Sequence, residues 1–149
     1  MHRQVEAARA AGATVLEGGE IPSGPGAHYP ATVVTDVPPD SDLMREETFG
    51  PVAPVQVVAS FDEGLTLAAQ DRYGLAATVL SGSLEHVTEA ISRLPVGTVK
   101  INAVFGGAPG GAAQPRGASG RGFGYGPELL DEMTARKVVH LGRPVLRTP

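Results

Sequence analysis

The stretch from Leu75 to Asn102 constrains the fold more than any other part of the chain. It reads "LAATVL", then Ser81-Gly82-Ser83, then "LEHVTEAISRL", then "GTVKIN". Two short strand-like runs flank a helical segment, with a turn signal ahead of the helix. This order predicts a βαβ unit, because parallel strands need a crossover of about a dozen residues, usually a helix. The same alternation recurs upstream, so the chain is expected to be α/β with an open, largely parallel sheet and right-handed crossovers. At 149 residues it is long enough for one domain with its own core.

Upstream, Val5, Ala8 and Ala11 share one face of a helix over Gln4 to Ala11, with Gly12 placed to end it. Thr14 to Leu16 reads as a strand stopped by Gly18-Gly19. "EIPSGPGAHYP" is too rich in proline and glycine for regular structure. Ala31 to Thr35 is β-branched and reads as a second strand. A helical turn through Leu43, Met44 and Arg45 follows, capped by Asp40 or Ser41. Val55 to Ala59 is expected to form a strand, and Phe61 to Asp71 a helix with Leu65, Leu67 and Ala68 in register and Asp62 as its cap. From Ala103 to Gly126 glycine and proline dominate. "PELLDEMTARKVV" then resumes a helix, with Leu129, Leu130 and Met133 at helical spacing and Pro127 in its first turn. Val138 to Leu141 has strand character but nothing local to pair with, a pattern suited to pairing with another chain.

The net charge of -4 and the 19% of charged residues fit a soluble globular protein, and argue against nucleic acid as a partner. No run reaches the roughly 20 apolar residues of a membrane span, and the charged start of the chain offers no signal core, so a cytoplasmic location is expected. The chain has no cysteine. Disulfides, cysteine-ligated zinc and thiolate catalysis by this chain are thereby excluded. The four histidines, His2, His28, His86 and His140, show no metal-ligand spacing, so no metal is expected. Gly120, Gly122, Gly124 and Gly126 precede a helix but match neither the dinucleotide nor the P-loop pattern, and no strand leads into them. A connecting loop is the plainer reading. Ser119, with alanine before it and glycine after it, does not match the G-x-S-x-G elbow of serine hydrolases, and reads as a turn residue.

One stretch does carry chemistry. "MREETFGPV", Met44 to Val52, sets Glu46 and Glu47 just ahead of an aromatic ring on a loop pinned by Gly50-Pro51. A carboxylate two residues before an aromatic can accept hydrogen bonds from a diol while the ring covers a flat heterocycle. Those are the demands of a ribose and its nicotinamide.

This stretch closely resembles the E-E-x-F-G-P-V signature of the NAD(P)-dependent aldehyde dehydrogenase superfamily. "AARAAGATVLEGG", "YPATVVTDVPPDSDLMREETFGPVAPV", "YGLAATVLS", "GTVKIN" and "ELLDEMTARKVV" resemble consecutive segments of that family, in family order. The resemblance implies a C-terminal portion: residues 1–136 as a partial catalytic domain, and 137–149 as an oligomerisation strand and tail. It implies that Glu47 binds the nicotinamide ribose, that Phe49 packs beside the nicotinamide, and that Asn102 and Phe105 lie at the mouth of the substrate tunnel. The family's Rossmann domain, cysteine nucleophile and general-base glutamate would all precede this chain. NAD or NADP would therefore bind only with a complementing cofactor domain, and the implied partners are a second copy of the chain or an N-terminal aldehyde dehydrogenase chain. One departure stands out: the family's P-F-G-G-x-K-x-S-G loop is replaced by "PGGAAQPRGASG".

Two functional readings follow. In one, the chain is a C-terminal aldehyde dehydrogenase segment contributing cofactor contacts and assembly. In the other, it is a free-standing truncated homologue acting as an interaction module or a non-redox enzyme, with Glu46, Glu47, Asp42 and His28 as candidate acids and bases.

Overall fold

The computed structural model describes residues 1–103 and 114–142. It divides the chain into two compact units, one of Met1–Arg72 with Ser92–Leu94, the other of Tyr73–Ile91 with Pro95–Pro149.

The first unit opens with α1 (His2–Ala10), whose one-turn spacing turns Val5 and Ala8 inward, both at most 1% exposed. Gly12, at φ +103, closes the helix in a backbone conformation that suits glycine. β1 (Thr14–Glu17) runs antiparallel to β2 (Thr32–Thr35), and β2 runs parallel to β3 (Val52–Val55). Between β2 and β3 lies the short helix α2 (Asp42–Arg45), which buries Leu43. Val5, Ala8, Ala13, Val34, Val37 and Leu43 form one hydrophobic core, with Val15, Met44 and Val52 packed against it. The third strand falls earlier than the expected Val55 to Ala59. Pro54 is tolerated because β3 is an edge strand, where a missing N–H need leave no ladder partner unsatisfied. Val57, beyond the strand, is 81% exposed.

Helix α3 (Phe61–Ala69) completes this unit. Its cap is Ser60, not the expected Asp62. Ser60 has the extended backbone of an N-cap and its Oγ accepts from the Glu63 amide at 3.1 Å, while the Glu63 carboxylate accepts from the Ala59 amide at 2.7 Å. Two otherwise unpaired amides are thus satisfied reciprocally. Asp62 stays in the first turn, where a negative charge favours the helix dipole.

The second unit holds β5 (Ala76–Val79), β6 (Thr98–Ile101) and all of α4 (Leu84–Arg93) but its last two residues; these elements form the expected βαβ unit, with β5 and β6 parallel over four residue pairs. β4 (Tyr73–Gly74) pairs antiparallel with β7 (Arg116–Gly117), and the Ser119 hydroxyl accepts from the Gly74 amide at 3.1 Å. Ser119 is therefore a turn residue that secures a strand end. Gly97 lies so close to the Gln114 carbonyl oxygen that a Cβ there would overlap it. Helix α5 (Pro127–Glu132) is shorter than expected: it buries no residue, so packing does not extend it, and Thr134 closes its last turn through the Asp131 carbonyl. Val138 to Leu141 joins no strand among the described residues, and Leu141 is 92% exposed. The α/β class holds, with mixed sheets in which two of the four strand pairings described are parallel.

Candidate cofactor-facing site

The loop from Glu46 to Pro51 is fixed at both ends. At its start the Glu46 amide donates to the Asp42 carbonyl at 2.9 Å, so the chain leaves α2 directly into an extended conformation. At its end the Thr32 amide donates to the Pro51 carbonyl at 2.8 Å, and β3 then runs beside β2. Thr32 is a firm anchor. It is 2% exposed, and its hydroxyl accepts from the Gly19 amide and donates to the Pro30 carbonyl, each at 2.9 Å. Gly50 lies against Met1: a Cβ there would meet the Met1 thioether, so that flexible side chain would have to shift.

Between these anchors the two acidic residues differ in their employment. The Glu46 carboxylate forms an ion pair with the Arg72 guanidinium, through Oε2 and Nη2. Glu47 is exposed and makes no hydrogen bond or ion pair among the described residues. Two residues on, Phe49 has a φ of +48, in the left-handed region, with its side chain 87% exposed. A non-glycine residue there costs of order 1 kcal/mol or more. Nothing is gained in burial to offset it. A free carboxylate and an uncovered aromatic ring thus stand two residues apart on an anchored loop.

A cleft of about 570 Å³ opens in the same unit, lined among others by Met44, Arg45, Glu46, Gln56, Leu67 and Arg72. The other candidate acids and bases do not converge on Glu47. Asp42 lies in the first turn of α2, and His28 is exposed in its loop near Gly26; no hydrogen bond or ion pair links them to each other or to either glutamate.

Asn102 belongs to the second unit. In left-handed backbone at φ +52, its side chain accepts from the Ser81 amide at 2.9 Å and donates to the Ser81 carbonyl at 3.0 Å. Phe105 lies outside the described residues. The glycine-rich loop is filled from within, since the Glu132 carboxylate accepts from the Phe123 amide at 3.0 Å and stands over Gly122. A resident carboxylate there opposes a phosphate. Among the described residues no group of three acidic, histidine or cysteine side chains could hold a metal, and no helix is long and apolar enough to cross a membrane. Neither Arg72 nor the Met1 contact is legible in the sequence, because each acts on the loop from a distant position.

This architecture has counterparts. Residues 1–139 match the model of the aldehyde dehydrogenase family. An aldehyde dehydrogenase of Paenarthrobacter nicotinovorans is 41% identical over 129 residues, which cover 87% of this chain and 27% of that protein. A succinate-semialdehyde dehydrogenase [NADP(+)] of Deinococcus radiodurans is 41% identical over 143 residues, covering 93% and 29%. Among solved structures, lactaldehyde dehydrogenase from Escherichia coli superposes with a TM-score of 0.86 at 34% identity, over 94% of this chain and 29% of that one. The chain belongs to the aldehyde dehydrogenase family. It spans less than a third of the length of these relatives.

Proposed function

We propose that the chain forms the nicotinamide-ribose wall of an NAD(P)-dependent aldehyde dehydrogenase, as the C-terminal portion of the family's architecture. The carrying observation is the free Glu47 carboxylate two residues from the exposed, left-handed Phe49. A carboxylate without an internal partner suits a vicinal diol, and an uncovered ring suits a flat nicotinamide. Glu47 and Phe49 would hold that half of the cofactor; when bound, it supplies the acceptor for hydride. The residues orient it and exclude water from one face, while the thiolate comes from outside this cysteine-free chain.

The names of relatives support a nicotinamide nucleotide: one is specified as using NADP(+), and a betaine aldehyde dehydrogenase from Staphylococcus aureus, 30% identical, has a structure in complex with NAD+. In this reading Asn102 acts at the tunnel mouth by fixing the backbone at Ser81, and residues 137–149 pair with another chain. The exposed Val57 and Leu141 suit a chain that meets partners. The competing reading, a free-standing non-redox enzyme, is not favoured, because His28 and Asp42 do not gather around Glu46 and Glu47.

The test is a hybrid in which this chain replaces the matching stretch of the Deinococcus radiodurans enzyme. We expect aldehyde-dependent NADPH formation by the hybrid, a rise in the KM for NADP on Glu47→Ala, and none of this activity from the 149-residue chain alone. A folded hybrid without activity, or activity from the chain alone, would overturn the reading.

A further inference from the structure

We infer that Arg72 is a positioning residue for the cofactor loop, holding Glu46 so that Glu47 alone is offered to the ribose. This rests on the function proposed above.

Adjacent carboxylates are chemically alike, and nothing in an E-E pair says which of them a ligand will meet. The structure separates them. Glu46 is engaged by Arg72, while Glu47 has no partner among the described residues. Arg72 follows the C-cap of α3, Gln70, by two residues, whereas Glu46 is the C-cap of α2. The ion pair therefore joins two helix ends 26 residues apart in sequence. Only one residue separates this tether from Thr48, and Phe49 follows.

Each end of the loop otherwise relies on a backbone hydrogen bond, at Glu46 and at Pro51. The Pro51 end is reinforced by strand pairing and by buried Thr32. The Glu46 end has no such ladder, since α2 is one turn long. The Arg72 pair supplies the missing constraint there. Both side chains are about half exposed, so the pair adds little to global stability. Its role is orientational: it fixes the peptide from which Glu47 departs, and it keeps the Glu46 charge away from the ribose.

Two measurements separate this inference from the reading beneath it. In the full 149-residue chain, hydrogen exchange of the Glu46 amide, whose hydrogen bond to the Asp42 carbonyl anchors this end of the loop, should quicken about two- to fivefold in Arg72→Ala and in Glu46→Ala, the range an exposed ion pair supports. Exchange at Val34 should be unchanged. The double exchange, Glu46→Arg with Arg72→Glu, should restore slow exchange. In the hybrid enzyme, Arg72→Ala should raise the KM for NADP by a similar factor and leave the KM for the aldehyde unchanged. Unchanged exchange of that amide in Arg72→Ala would overturn the tether. Faster exchange there with an unaltered KM for NADP in an active hybrid would overturn the positioning role. An inactive hybrid would count against the proposed function, and the exchange data would still judge the tether.

Discussion

Phe49 shows how a residue can be costly to the fold and still belong there. Its backbone lies in the left-handed region at φ +48 while its ring meets solvent. Phe49→Gly should therefore raise the stability of the isolated chain by about 1 kcal/mol, measured by chemical denaturation, because glycine accepts that conformation without strain. A loss of stability would mean that the ring packs in a way that its exposure denies. The sequence made Glu47 and Phe49 legible as candidates because a diol and a flat ring demand a carboxylate and an aromatic. It could not distinguish Glu46 from Glu47, since that depends on Arg72, which no local spacing brings near.

Among the elements, the helices and strands with strong local patterns lie where the sequence puts them, and the errors have physical causes. The βαβ unit was legible because its turn, helix and strands agree at every level. β3 was displaced because Pro54 argues against a strand anywhere but at an edge. α5 was overextended because periodicity promised an apolar face that nothing buries. Close backbone approaches are invisible in a sequence, and Gly97 is one of them. Gly97→Ala should cost about 2–3 kcal/mol, since the new methyl would overlap the Gln114 carbonyl. Gly82→Ala, with open space around it, should change stability by less than about 0.5 kcal/mol. Comparable losses at both positions would refute the close approach. Asn102 contributes in a related way, its amide standing in for a peptide group and joining the end of β6 to Ser81. Asn102→Ala should weaken that end, because the Ser81 amide loses its acceptor and the Ser81 carbonyl its donor; faster amide exchange at Ser81 would be the sign, and unchanged exchange would tell against it.

At the scale of the whole molecule, the small core and the many uncovered apolar side chains belong together. The described core rests on residues no larger than leucine, whereas Phe49, Val57, Leu84 and Leu141 are among those left exposed. The isolated chain should therefore enhance the fluorescence of an apolar-surface dye under native conditions, and incorporation into the hybrid enzyme should suppress the signal. No enhancement by the chain alone would mean that these side chains are covered in solution. Finally, the contact between Met1 and Gly50 links residue 1 to the loop that carries Glu47 and Phe49. A thioether takes up oxygen readily, and its sulfoxide is polar and bulkier. In a chain without a single thiol, peroxide would then act on that loop through Met1.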